Sequence, residues 1–312
     1  MRFLKALLLI AIVLAAAYGV LALVNGPRGP HPYYSRLGAG PLVLAHGGGQ
    51  GLWPDNTMRA FTGSAALGAD VLELDVQRDG DGAFRVIHDA TVDRTTDGTG
   101  LVSALRAAQV EALDDGYRWT VSGNRPSGQD GDFPYRGQGV AIPTLAEVLA
   151  GFPDSAVNIE IKEEVSEAGT ALCELLRRTG STGRVLVASF NSAPMKAFRQ
   201  ACPEVATSAT RSEVTLFYVL ARARLSAVYT PPFVAVQVPV QQGSLTVVTP
   251  HFIQAAHARG VKVEVWTVNE SAEMRRLLDM GVDGLITDRP DRAMAVLGRR
   301  FDAGIVPDFV LP

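Results

Sequence analysis

Residues Leu42–Gly100 read LVLAHGGGQGLWPDNTMRAFTGSAALGADVLELDVQRDGDGAFRVIHDATVDRTTDGTG. Two short apolar runs in this stretch end in chemistry. Leu42–Ala45 runs into His46, and Val71–Val76 carries Glu73 and Asp75. A third segment, Phe84–Ile87, runs into His88. Successive strand residues face opposite sides, so Glu73 and Asp75 share one face while Leu72, Leu74 and Val76 share the other. Two carboxylates side by side in a strand are costly to bury unless a cation or hydrogen bonds compensate them. Two histidines and two same-face acids at strand ends therefore predict a metal-assisted acid–base site.

Outward from this stretch, strand and helix patterns alternate. After His46 a helical run reaches Leu67, with Asp55 or Asn56 placed to cap it and Gly68 placed to end it. Asp79–Gly82 reads as a tight turn between Val71–Val76 and Phe84–Ile87. A short helix is expected over Ser103–Leu113. Residues 114–143, rich in Gly, Asp, Pro and aromatics, read as an irregular insertion of the kind that is often functional. Strands are expected at Ala156–Lys162, Arg184–Phe190, Val205–Ala209, Val234–Val238, Lys262–Val268 and Gly284–Thr287, each followed by a helix. With the first two, eight parallel strands in residues 41–300 predict an α/β fold of the (β/α)8 TIM-barrel type. An open doubly wound sheet is the alternative, but no glycine-rich dinucleotide turn opens a helix.

A (β/α)8 barrel collects its chemistry at the C-terminal ends of its strands. There the sequence offers His46, Glu73, Asp75 and His88, then Asn158, Glu160 and Lys162 on one face of a strand. Ser189, Gln237, Glu264, Trp266, Asn269 and Asp288 follow further on. Three inward carboxylates favour a hard cation, Mg²⁺ or Ca²⁺, over zinc. Lys162 beside Glu160 points to a bound anion. Together with the histidines this set fits phosphoryl chemistry. The structural readings are plain ones: Asp55 as a helix cap, Glu160 and Lys162 as an ion pair, Trp266 as core. Asp288, before Arg289-Pro290, reads as a cap of the last helix.

The chain has 312 residues, 47% of them hydrophobic, with a net charge of −3, enough for one large domain and without the basic balance of a nucleic-acid binder. In residues 1–24, Arg2 and Lys5 precede an uncharged apolar run from Ala6 to Val24. A bilayer span needs roughly 20 residues, so a transmembrane anchor is expected, with a cleaved signal peptide as the alternative. In both readings the body is extracytoplasmic. Residues 25–40 read as a linker and 301–312 as a tail. Cys173 and Cys202 are expected as free buried thiols; an extracytoplasmic body also permits a disulfide.

The ordered motifs resemble the glycerophosphodiester phosphodiesterase family. They are His46-Gly47-Gly48, Pro54-Asp55-Asn56-Thr57, Glu73-Leu74-Asp75-Val76, His88-Asp89, Arg94-Thr95-Thr96, Ile142-Pro143-Thr144-Leu145, Asn158-Ile159-Glu160-Ile161-Lys162, Ser189-Phe190 and Trp266-Thr267-Val268-Asn269. The resemblance implies a TIM barrel with a small insertion that hydrolyses glycerophosphodiesters with a divalent cation. His46 and His88 would be the acid–base pair, with His46 the base by analogy. Glu73, Asp75 and Glu160, with Asp55, would hold the metal. Lys162 would contact phosphate, and Trp266 and Gln237 would meet the substrate. Two positions depart from the family pattern: Gly47 stands where it has Arg, and Asp55 where it has Glu. Lysophospholipids, cleaved at the same bond by some relatives, are the alternative substrates. A barrel that binds a phosphorylated ligand without turnover is the rival class, and an aldolase-type barrel the third.

Overall fold

The computed structural model describes residues 2–27, 29–122 and 132–310. Residues 123–131 of the expected insertion, and the end of the tail, lie outside the described residues. Helix α1 (Arg2–Val24) and the single turn α2 (Pro32–Ser35) precede the barrel. The chain then forms β1 (Leu42–Ala45), α3 (Met58–Leu67), β2 (Val71–Arg78), β3 (Phe84–Val86), α4 (Ala107–Glu111), α5 (Leu145–Gly151), β4 (Ala156–Ile161) and α6 (Ser166–Arg178). Next come β5 (Val185–Ala188), α7 (Ser192–Ala201), β6 (Ala206–Thr207), α8 (Arg211–Arg222), β7 (Ala235–Pro239), β8 (Gln241–Gln242) and β9 (Leu245–Thr246). The last elements are α9 (Pro250–His257), β10 (Lys262–Trp266), α10 (Ser271–Asp279), β11 (Gly284–Thr287) and α11 (Pro290–Val296).

Eight parallel strands run in the order β6-β5-β4-β2-β1-β11-β10-β7. A parallel bridge between Ser208 and Ala235 joins the two ends of that path, so the sheet closes at its last seam. The eight expected strands are all present. β3 is an added antiparallel strand on β2, and the β8–β9 hairpin was not anticipated. The expected helix over Ser103–Leu113 is split into a 3₁₀ turn at Val102–Ala104 and α4.

The period of two in each strand decides which layer its side chains enter. Leu72, Leu74 and Val76 of β2, with Val157, Ile159 and Ile161 of β4, pack outward against α6, α7 and their neighbours. Inside, the N-terminal end of the barrel is filled by Leu42, Leu44, Val71, Ala156, Leu186, Ala206, Ala235 and Ile286. Tyr33 and Tyr34 of α2 belong to this layer, so part of the expected linker is a plug in the barrel floor. The polar side chains of the strands occupy the other end.

α1 covers the basic-then-apolar N-terminus, and Phe3, Leu4, Leu8 and Leu23 along it are exposed. The anchor expectation is not supported: among the described residues, no helix is long and apolar enough to cross a membrane. The side chains of Ile10, Ala11, Leu14 and Ala15 within that segment lie outside the described residues.

The expectation of free thiols is corrected. Cys173 of α6 and Cys202, just past α7, form a disulfide between two helices that pack along each other. The bridge closes a loop with a sequence separation of 29. In the loop-entropy account such a closure stabilises by about 3–4 kcal/mol. Equilibrium unfolding of the Cys173→Ala/Cys202→Ala variant is expected to show a loss of that order. A loss below about 0.5 kcal/mol would mean the bridge constrains nothing that packing does not already hold.

Candidate active site

The turn after β1 presents His46. Its Nδ1 lies 2.6 Å from Asp288 Oδ1, at the end of β11, the strand paired with β1. Asp288 is fixed in turn: Gln50 Nε2 donates to Oδ1 at 2.9 Å and Asn269 Nδ2 to Oδ2 at 2.6 Å. Nδ1 is thereby committed to the carboxylate, leaving Nε2 as the free ring nitrogen. Burial disfavours the imidazolium, but the Asp288 hydrogen bond and the charges of Glu73, Asp288 and Asp75 outweigh it and push the His46 pKa up to about 10.

His88 repeats the arrangement from the other side of the site. Its Nδ1 is 2.6 Å from Asp89 Oδ1, and that hydrogen bond raises its pKa against the effect of burial. Arg94 holds Asp89 through Nε at 2.7 Å and grips Asp55 through NH2 at 2.9 Å and NH1 at 3.3 Å. The line Asp55–Arg94–Asp89–His88 therefore positions the second imidazole.

Between them lie the acids. β2 and β4 pair in a register that sets Asp75 beside Glu160 and Glu73 beside Asn158. Glu73, Asp75 and Glu160 each offer an oxygen, and these oxygens lie within 4.8 Å of one another. Lys162 Nζ bridges Asp75 at 2.9 Å and Glu160 at 3.0 Å. Burial alone would raise the Asp75 carboxyl, but Lys162 and the two histidines hold it below the usual range. Among the described residues, no lysine or arginine forms an ion pair with Glu73. It accepts the Gly47 N–H at 2.8 Å, and burial beside Asp75 pushes it up to about 7. One lysine for three clustered carboxylates leaves negative charge in excess, in a donor set made only of oxygen. The residues present fit a hard divalent cation.

A cavity of about 350 Å³ takes in both histidines, Glu73, Glu160, Lys162, Gln237 and Trp266. The sequence-predicted histidines, clustered acids, Lys162, Gln237 and Trp266 thus converge. Asp55 is outside the acid cluster, its carboxylate engaged by Arg94. Helix α3 is capped by Thr57, whose Oγ1 accepts the Ala60 N–H, and not by Asp55 or Asn56. Asp288 does not cap the last helix, where the N-cap position is Arg289. Asp288 as the partner of His46 was missed, because the link spans 242 positions of sequence, and with it the role of Gln50, which reaches Asp288 across 238 positions. Two aromatics of the insertion are core: Trp119 and Tyr135 are buried against Phe309 of the tail, and Trp119 Nε1 donates to the Gln50 carbonyl.

The profile of the Glycerophosphoryl diester phosphodiesterase family matches residues 46–292. The chain is 32% identical over 262 residues to the glycerophosphodiester phosphodiesterase of Caldanaerobacter subterraneus subsp. tengcongensis, covering 80% of this chain and 95% of that one. It is 29% identical over 265 residues to the enzyme of the same name from Bacillus altitudinis, covering 81% and 97%. The crystal structure of glycerophosphodiester phosphodiesterase from Agrobacterium tumefaciens superposes with a TM-score of 0.64 at 25% identity, covering 81% of this chain and 99% of that one.

Below the reactive groups the barrel interior is polar where an apolar layer would be usual. Glu264 of β10 is buried, with Oε1 accepting the Tyr34 hydroxyl at 2.8 Å and Oε2 accepting Gln237 Nε2 at 2.8 Å. Gln237 also donates to Asn158 Oδ1 at 3.1 Å. This chain ties the floor plug to the cavity wall. Burial pushes the Glu264 carboxyl up to about 7, although both hydrogen bonds favour its charge. Unfolded, it releases its proton near the ordinary value of 4.5. The folded state therefore holds the extra proton between about pH 4.5 and 7, and this group's contribution makes stability fall as pH rises through that window. The Glu264→Gln variant is expected to lose this part of the pH dependence. Urea unfolding of both proteins at pH 5 and 7.5 checks it: an unchanged difference between the two pH values would exclude Glu264 as the titrating group.

Proposed function

The chain belongs to the glycerophosphoryl diester phosphodiesterase family, and from that premise we propose that it hydrolyses glycerophosphodiesters to glycerol 3-phosphate and an alcohol. The observation that carries the reading is the pairing of two imidazoles, each with Nδ1 held by a carboxylate, in one cavity with Glu73, Glu160 and Lys162, with Asp75 completing the acid cluster. A nucleophilic oxygen, from water or a neighbouring substrate hydroxyl, bonds to phosphorus as the bond from phosphorus to the alcohol oxygen breaks. One imidazole takes the proton that the nucleophile loses, and the other gives a proton to the departing oxygen. The carboxylates on Nδ1 fix each ring's tautomer and orientation while Nε2 does the work. Lys162 offers its charge to the phosphate, Gln237 and Asn158 supply amide groups, and Trp266 forms a wall of the pocket.

Glu73, Asp75 and Glu160 would hold a divalent cation, Mg²⁺ or Ca²⁺. Bound there, it supplies positive charge against the phosphodiester oxygens. An extracytoplasmic location is part of the same proposal. It is supported by the disulfide, a bond that persists in oxidising compartments, and by the basic-then-apolar sequence of residues 1–24.

Alcohol release from glycerophosphocholine is expected with Mg²⁺ or Ca²⁺ and is expected to stop with EDTA. No release from any diester with either ion would instead favour a barrel that binds a phosphorylated ligand without turnover. His46→Ala and His88→Ala are each expected to lower kcat at least ~10²-fold, the scale of a lost proton transfer. Wild-type-like turnover in either variant rejects that residue's role.

The acids are separated by titration calorimetry with the metal alone. Glu73→Gln is expected to weaken binding of the ion, while Asp55→Asn leaves it unchanged and lowers kcat by loosening Arg94. Equal losses of metal affinity in the two variants would return Asp55 to the ligand set.

A further inference from the structure

Glu264 of β10 takes no part in the reaction described above, and it is costly where it stands. It is buried, in register with Gln237 of β7 on one side and with Gly284 of β11 on the other. A Cβ added at Gly284 would lie 3.1 Å from Glu264 Cγ and 2.8 Å from Leu44 Cδ1, so β11 gives up a side chain where the Glu264 stem passes. A carboxylate buried there costs free energy that an aliphatic residue would not. What it gains is a pair of donors with a consequence for the cavity above. Gln237 Nε2 carries two hydrogens; one goes to Glu264 Oε2 at 2.8 Å and one to Asn158 Oδ1 at 3.1 Å. An ionised carboxylate only accepts, so Gln237 cannot turn its carbonyl towards Glu264. Asn158, with its carbonyl taken by Gln237, has its Nδ2 directed elsewhere. Gln237 Oε1 and Asn158 Nδ2 have no protein partner among the described residues, and both side chains line the reaction cavity. From the floor, the Tyr34 hydroxyl donates to Glu264 Oε1 at 2.8 Å and holds the carboxylate in place.

We propose that Glu264, braced by Tyr34, is a positioning residue that sets the polarity of the cavity wall, so that Gln237 offers an acceptor and Asn158 a donor to the glycerol hydroxyls of the substrate. The inference rests on the phosphodiesterase reading above and adds to it the residues that let the site tell glycerol from a bare alkyl chain. A hydroxyl both donates and accepts: one donates to Gln237 Oε1 and the other accepts from Asn158 Nδ2. Neither Glu264 nor Tyr34 lines the reaction cavity, so both act only through the amides. With no acceptor at 264, the Gln237 amide is free to turn over, and the wall no longer presents one fixed pattern. A substrate without hydroxyls gains nothing from the pattern and leaves the two amide groups unpaired, which is how a polar site rejects an analogue that lacks the matching group.

The test uses the full chain with Mg²⁺ at pH 8, above the value of about 7 to which burial pushes Glu264, so that the carboxylate is ionised. Titration calorimetry compares glycerol 3-phosphate with propyl phosphate, which has the same carbon chain and no hydroxyl. The wild type is expected to prefer glycerol 3-phosphate by at least about tenfold, the scale of a polar group left unpaired. Glu264→Met removes the acceptor and is expected to cut that preference by at least about threefold, and to raise KM for glycerophosphocholine more than it lowers kcat. Glu264→Gln keeps an oxygen for the Gln237 N–H and an amide for the Tyr34 oxygen, and is expected to retain the preference. Should Glu264→Met not fold, Tyr34→Phe tests the same line by removing one hydroxyl outside the cavity, and is expected to lower the preference by about twofold or more. A preference unchanged in Glu264→Met and Tyr34→Phe overturns the proposal. Equal losses in Glu264→Gln and Glu264→Met overturn it as well, since a missing acceptor is then not the cause. No preference in a wild type that still cleaves glycerophosphocholine overturns it and leaves the phosphodiesterase reading standing. Cleavage of no diester at all overturns the parent reading and this one with it.

Discussion

The register between β2 and β4 places Asp75 directly beside Glu160, with Glu73 two residues before on the same face. Like charges opposite one another across a strand pair are destabilising, and burial compounds the cost. Much of the surrounding arrangement answers this one conflict. Lys162 is drawn between two of the acids, Asn56 donates to the Asp75 carboxylate and accepts its backbone N–H, and the Gly47 N–H points at Glu73. These compensations come from two connections, the one after β1 and the one after β4, so the loops at that end of the barrel are tied to the acids. A sheet with aliphatic residues at these positions would be easier to fold. The chain keeps an internal repulsion that a doubly charged ion would relieve.

Each imidazole is supported differently. The His46 partner, Asp288, follows a core strand and is held by Gln50 and Asn269, so that side of the site inherits the rigidity of the β1–β11 pair. His88 depends on loop residues, and its partner Asp89 is held by Arg94 against buried Asp55. The insertion and the tail act on the first side. Trp119 packs on Tyr135 and Phe309 and donates to the carbonyl of the same Gln50 whose side chain steadies Asp288. Segments remote in sequence thus bear on one ring nitrogen through a short run of contacts.

How much of this was legible in the sequence follows from the range of the forces involved. Strand parity and helix periodicity are local, so the eight barrel strands and the shared face of Glu73 and Asp75 could be read directly. The convergence of His46, His88 and the acids followed from the rule that a barrel gathers its polar residues at one end. What could not be read were partnerships across the fold. Asp55 has the chemistry of a cap and of a ligand; Thr57 takes the cap, and the approach of Arg94, which engages the Asp55 carboxylate, comes from 39 positions away. Asp288 before Arg289-Pro290 looks like a helix start, and only the β1–β11 pairing brings it to His46. Tyr33 and Tyr34 sit in a stretch of Pro and Gly that reads as linker, and their burial depends on a barrel floor that does not exist in the local sequence.

The backbone brings Gly47 close to Asp55. Gly47 adopts φ 54°, a left-handed conformation that favours glycine, and a Cβ added there would stand 3.1 Å from the Asp55 Cβ. Its carbonyl accepts the Asn56 N–H and its own N–H serves Glu73, so the backbone at this position links the Asp55–Asn56 turn to the acid cluster. A side chain at 47 would crowd residue 55, and residue 55 is where Arg94 is anchored. Glycine at one and the shorter acid at the other therefore belong to a single local solution. The guanidinium expected after the first histidine is absent, and the one beside it, Arg94, is spent on positioning His88. Positive charge among the side chains lining the reaction cavity is thereby left to Lys162 and the two imidazoles.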